Sequence, residues 1–292
     1  MNGELGNFLR SRRARIRPEE VGLPSYGRRR VPGLRREEVA LLAGVSVDYY
    51  VRLEQGRGPG SASRTGSGGV SDAVLDAVAR VLRLDDAERA YLRAIARPHR
   101  RAASRGPAAS GVRPGVRLLL EGMDRNPAYV LDHRMDVLAW NALADAVVGL
   151  GGTAAPGGRS LPRRVFLDPA ARDLYADWPA IAAQTVAHLR MNAGHHPDDP
   201  ALGALVGELS RRSEDFRRLW ADHLVRPCEY GVKRVRHPVA GLFTLPYETL
   251  TVPAAPEQTI VVYTPEPGSE TAERLALLGS WASAVPGAAE RA

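Results

Sequence analysis

Apolar residues in the first hundred positions recur every three or four residues, the spacing of one helix face. Leu5, Phe8 and Leu9 mark an opening helix over 3–15, with Arg10, Arg12, Arg13 and Arg15 covering its other sides. Val39, Ala40, Leu42 and Ala43 mark a second helix, and Tyr50 and Leu53 a third. Val74, Leu75, Val78 and Leu82 give a fourth stripe, and Tyr91, Leu92 and Ile95 a fifth. The breaks carry capping chemistry. Gly44 stops the second helix as a C-terminal glycine does, and the Ser46 hydroxyl can accept from the amides of a new first turn. Ser71 caps the fourth helix, and Asp85 with Glu88 three residues later makes a capping box for the fifth. The Pro/Gly-rich stretch 17–33, with its Arg28-Arg29-Arg30 run, and the Gly/Ser-rich stretch 57–69 have no such period and read as loops.

Beyond a Pro-, Gly-, Ala-, Ser- and Arg-rich linker at 98–115, helical and strand periods mix. A short helix over 117–123 precedes strands at Ala128–Leu131 and Met135–Trp140, and a helix at Asn141–Leu150. After a Gly-rich loop come helices at Leu161–Phe166, Pro169–Tyr175, Pro179–Ala193, Ala201–Arg211 and Ser213–Leu224. Strands return at Gly231–His237, Gly241–Leu245, Glu248–Val252 and Thr259–Thr264, and Ala272–Trp281 closes as a helix. Strands at both ends of a helical middle predict an α+β domain: one antiparallel sheet with helices on one side, able to bury an apolar ligand between them. The expected division is a five-helix domain at 1–97, the linker, and a mixed domain at 116–285.

Charge supports that division. Residues 1–105 hold 21 Lys+Arg against 12 Asp+Glu, whereas residues 106–292 hold 19 against 21. A basic head on a near-neutral body suggests a polyanion-binding unit joined to one with another task. Of the 40 basic residues only Lys233 is a lysine, a bias that fits a GC-rich genome and is not itself a sign of phosphate recognition. The single cysteine, Cys228, excludes an intrachain disulfide or a cysteine zinc cluster and makes only a weak case for redox sensing. Without a signal-type or membrane-spanning apolar run, a cytoplasmic, nucleoid-associated protein with no membrane partner is expected. No nucleophile elbow, P-loop or dinucleotide fingerprint occurs, so no enzyme activity is expected. His195-His196-Pro197-Asp198-Asp199 raises the question of a metal, but its place before Pro200 fits a helix-capping turn better. No metal or other resident cofactor is expected.

Leu34–Gly56 reads as two short helices around a tight turn. That is a helix-turn-helix, which lays its second helix in the DNA major groove, with an ordinary αα-hairpin as the alternative. Small Ala40 where the helices approach, Gly44 in the turn, Val45 between them and the closing Leu53-Glu54-Gln55-Gly56 resemble the phage-repressor-like (XRE, Cro/C1-type) regulators. By the geometry of the motif, Ser46, Val47, Asp48, Tyr49 and Arg52 face the groove. Arg52 can pair with guanine, and Val47 can touch a thymine methyl. Asp48 can accept from cytosine, but its simpler role is favourable charge at a helix N-terminus. Arg35 and Arg36, at the start of the preceding helix, are phosphate candidates, as is Arg57 beyond the motif. One such helix reads few bases, so a homodimer on a palindromic operator is expected.

In the body, "NPAYVLDHRMDVLAWNALA", "FLDPAARDLYADW", "RHPVAG" and "YTPEPGS" resemble the C-terminal domain of MmyB-like regulators of actinobacteria and relatives. The resemblance implies a PAS-like ligand-binding domain and a bound fatty acid or similar lipid as effector. Several such regulators are linked to antibiotic or secondary metabolism. Arg134, Asn141 and His237 lie in these motifs as candidates to meet a ligand acid group. Each also has a structural reading: a turn, a helix cap, and a hydrogen bond before Pro238. Two other functions stay open: a body that only dimerises or docks partners, and, less favoured, a DNA-tethered enzyme.

Overall fold

The computed structural model describes residues 3–24, 31, 33–56, 70–96, 111–151, 158–223, 225 and 230–284. They fall into two compact units. The first draws on Met1–Arg101, Ala193–Asp199 and Ala221–Arg226, and the second on Ala102–Asn192, Pro200–Trp220 and Pro227–Ala292.

The local signals that predict the first five helices place them. They are α1 (Gly3–Arg15), α2 (Arg36–Ala43), α3 (Val47–Glu54), α4 (Asp72–Val81) and α5 (Asp86–Ala96). Ser46 Oγ accepts from Tyr49 N at 3.2 Å, and Ser71 Oγ from Val74 N at 3.3 Å. Asp85 and Glu88 exchange backbone-to-carboxylate bonds of 3.2 and 2.8 Å. The core joins Phe8 and Leu9 of α1 to Leu34, Val39, Ala40, Tyr50, Leu53, Leu75, Val78 and Tyr91. Phe8 meets Tyr91 edge to face at 5.1 Å, a favoured aromatic geometry. Two expectations change. Leu42 is 38% exposed and outside the core, because the buried stripe of α2 is Val39, Ala40 and Ala43. Arg12 and Arg13 are not surface charge, since both turn inward onto carboxylates, Arg12 onto Glu88 at 2.7 Å and Arg13 onto Glu54.

The second unit continues with α6 (Pro114–Glu121), β1 (Ala128–Leu131), β2 (Val137–Trp140) and α7 (Ala142–Val148). Then come α8 (Leu161–Leu167), α9 (Ala170–Leu174), α10 (Trp178–His195), α11 (Pro200–Arg212) and α12 (Glu214–Ala221). Last are β3 (Tyr230–His237), β4 (Gly241–Val252), β5 (Ala255–Tyr263) and α13 (Glu270–Ala284). The five strands form one antiparallel sheet in the order β2-β1-β5-β4-β3. One face carries Tyr129, Val235, Phe243, Leu245 and Val261 against α7 and α13. The other is not bare, contrary to a sheet with helices on one side. Leu120 and Val116 of α6 pack on Ala128, Val130, Ala139, Ile260 and Val262, so every residue of β1 is buried.

Several strand and helix limits shift for local reasons. The first hairpin turns where expected but its second strand starts later: Asp132 Oδ1 accepts from both Arg134 N (2.8 Å) and Asp136 N (2.9 Å), Met135 takes φ 64°, and β2 starts only at Val137. Two expected strands merge into β4, which passes straight through Pro246. Pro246 O accepts from Thr264 N at 2.8 Å, so its missing N–H faces the place where β5 has already ended, and the ladder loses little. The helix expected from 117 begins at Pro114, whose fixed φ suits a first helical turn, so the expected linker gives up its last residues.

Candidate functional site

In the first unit the exposed side of α3 is the one that carries the residues expected to face the groove. Ser46, Asp48 and Arg52 are exposed, Val47 is 40% exposed and Tyr49 half-buried, while Tyr50 and Leu53 point into the core. Among the described residues Arg52 bonds back through Nε to Asp48 O alone, at 3.3 Å, which leaves its two terminal nitrogens for other partners. Gly44, at φ 66°, ends α2 with its N–H on Leu41 O and the Val45 N–H on Ala40 O, which sets the tight turn. Arg35 gives its N–H to Glu38 Oε2 at 2.7 Å and opens α2. Arg57, the Arg28-Arg29-Arg30 run, the 57–69 loop, residues 98–110 of the linker and Cys228 lie outside the described residues.

What aims α3 lies beneath it. The Glu54 side chain is 1% exposed and takes Arg13 (3.1 Å), Arg36 (3.1 Å) and Arg10 (3.7 Å). Arg13 also donates to Leu34 O at 2.7 Å, tying α1 to the start of the helix-turn-helix. Arg36, the phosphate candidate, is thus half committed: Glu54 holds it, while its side chain stays 42% exposed. Gly6 lets α1 approach closely, since a Cβ there would stand 2.1 Å from Glu54 O.

In the second unit the sheet and helices α7–α10 do not close completely. Between them lies a cavity of about 500 Å³, within the range of small-molecule sites. Leu131, Val147, Leu150, Leu161, Val165 and Ile181 give much of its wall. Most polar wall groups serve the fold. Arg164 donates to Gly149 O (2.6 Å) and Val148 O (2.7 Å), closing the C-terminus of α7. His237 shares a 3.0 Å bond with Ala146 O and accepts from Val239 N and Ala240 N. Asp168 accepts from Ala170 N, and Thr185 donates to Ile181 O.

Lys233 is different. It comes from the inward side of β3, and its Nζ lies 3.2 Å from Tyr263 Oη and 3.4 Å from Tyr129 Oη, with the Tyr247 ring centroid at 4.9 Å. Gln184 Nε2 donates to Tyr247 Oη at 2.6 Å and closes this polar end. Burial works to lower the Lys233 pKa, but the phenol oxygens of Tyr129, Tyr263 and Tyr175 outweigh it and hold the ammonium well above the ordinary lysine value. Beside it, burial and then the Lys233 charge push the His188 imidazole down to about 4, so it is neutral at pH 7.

Of the three sequence candidates for the cavity, only His237 is in its wall. Arg134 sits in the β1–β2 turn. Asn141 is spent on structure: its side chain accepts from Ala128 N and Ala144 N and donates to Met123 O and Asn126 O. Sequence reasoning passed over Lys233, although its being the only lysine among 40 basic residues marked it as unusual. His195 ends α10 and His196 lies in the following turn; among the described residues no three potential metal ligands cluster. No helix among them is long and apolar enough to cross a membrane.

Comparison with protein families finds two matches. Residues 4–92 match a helix-turn-helix domain, and residues 112–278, more than half the chain, match the MmyB-like transcription regulator ligand binding domain. No curated protein matches the chain.

Proposed function

Since the chain belongs to the MmyB-like transcription regulators, DNA-binding proteins with an effector domain, we propose that its effector is a small, fatty-acid-like molecule held in the cavity of the second unit. The cavity of about 500 Å³ carries this reading. A body that only docked partners would gain from filling that space, because an unfilled apolar volume forfeits packing energy. The effector acts by binding one state of the regulator better than another, since equal affinity for both shifts nothing. DNA engagement is by a homodimer on an inverted repeat. Native mass spectrometry with organic extraction of the purified protein tests the effector: a co-purifying or added fatty acid should appear as a discrete mass increment. Failure of every added fatty acid to bind would remove the reading.

On the DNA side, α3 is the reading helix and α2 begins at the backbone. Arg52→Ala is expected to lower discrimination at one or two base pairs by about 1–3 kcal/mol while sparing binding to random DNA. Arg36→Ala should weaken specific and random DNA alike and flatten the log–log salt dependence by about one unit. Binding titrations on operator and scrambled duplexes at several salt concentrations check both. Equal losses on the two duplexes for Arg52→Ala would show that it contacts only the backbone.

A further inference from the structure

We propose that Lys233, flanked by the hydroxyls of Tyr129 and Tyr263, anchors the acid group of that effector and makes the cavity select a singly charged acid over neutral analogues of the same length. The proposal rests on the effector reading above and adds the residue that selects the ligand.

The first argument is charge. Among the described residues no carboxylate pairs with Lys233; its partners are two neutral phenols and the faces of Tyr247 and Tyr263. The phenols hold the ammonium in place but do not cancel its charge, and an anion entering the cavity does. The two acids in the cavity wall do not do so. Asp168 turns to the Ala170 amide, and Asp173 is exposed.

The second argument is geometry. An ammonium has three donors. Two go to the tyrosine oxygens, at distances longer than the usual 2.9–3.0 Å, and one direction remains for a ligand oxygen. A phenol that accepts from Lys233 keeps its own O–H, so Tyr129, which is in the cavity wall, can donate to the same carboxylate.

The third argument is elimination among the other cations. Arg164 and His237 are engaged with backbone groups, Arg236 is exposed, and His188 carries no charge at neutral pH. One enclosed positive charge suits one negative charge, which favours a monocarboxylate over a phosphate or a dicarboxylate. The apolar wall from Leu131 to Val165 then takes the remainder of the molecule.

The test titrates the full-length protein with dodecanoate, methyl dodecanoate and dodecanol, reading heat or tryptophan fluorescence. Wild type should bind dodecanoate at least about tenfold more tightly than the ester or the alcohol. Lys233→Met should weaken dodecanoate by about 30-fold or more and leave the ester unchanged or tighter, while Lys233→Arg keeps a preference for the acid. If folded Lys233→Met binds dodecanoate as wild type does, the anchor is overturned and the effector reading stands. If wild type binds acid and ester equally, the anchor is overturned without recourse to any variant. If wild type binds none of the three, both readings fall.

Discussion

Replacing Glu54 by alanine is expected to destabilise the first unit by about 3–5 kcal/mol, the usual cost of removing one partner from a buried ion pair. The carboxylate is 1% exposed and bonds Arg13 through both oxygens, at 3.1 and 3.3 Å. Without it, the Arg13 guanidinium, itself only 12% exposed, stays inside the fold with neutral groups such as Leu34 O for partners. The Arg36 and Arg10 arms matter less, because those side chains are 42% and 58% exposed and water screens them. All four tryptophans lie at or beyond Trp140, so the first unit is best followed by far-UV circular dichroism or amide exchange in urea. Glu54→Ala should also lower affinity for specific and random DNA together, since it disturbs the aim of α3 rather than its reading surface. A loss under about 1 kcal/mol would show that the cluster behaves as an exposed surface network.

Acidification gives the second large effect. Unfolded, His188 titrates at its ordinary value of 6.5; folded, burial and the Lys233 charge hold it at about 4. The unfolded chain therefore binds the proton first. The stability that His188 contributes is complete above pH 6.5 and is lost as pH falls towards 4, by at most about 1.4 kcal/mol per pH unit. His188→Gln should flatten the decline of urea midpoints over that interval, read by tryptophan fluorescence of the second unit. Burial also lowers the His237 pKa, so some acid sensitivity persists in the variant. Parallel curves for wild type and His188→Gln would show that the imidazole is not held neutral.

The two halves of the molecule differ in how much the sequence reveals. The helix-turn-helix is written in contacts between near neighbours. Ser46 bonds an amide three residues on, and Gly44 closes the helix it follows, so a linear reading finds both. Glu54 shows the opposite case. Its partners Arg36 and Arg13 stand 18 and 41 residues away, and nothing in the spacing separates them from solvated charge. The strand pattern of β3 is ambiguous for another reason. Val232, Arg234 and Arg236 alternate with Lys233, Val235 and His237, so each face mixes apolar and charged groups. Only tertiary packing decides that the lysine face turns inward. Asn141 was legible as a cap, but not as the link that also fixes the Ala128 amide and two carbonyls of the preceding turn.

The ammonium on β3 also makes the protein selectively addressable by isotope labelling. Thirty-nine of its 40 basic residues are arginine, so isotope-labelled lysine supplied during growth enters the chain at this one position. Its ε-methylene sits among tyrosine rings, whose ring currents displace its resonance from the random-coil position. That single peak would report on occupancy of the chamber against an otherwise silent background.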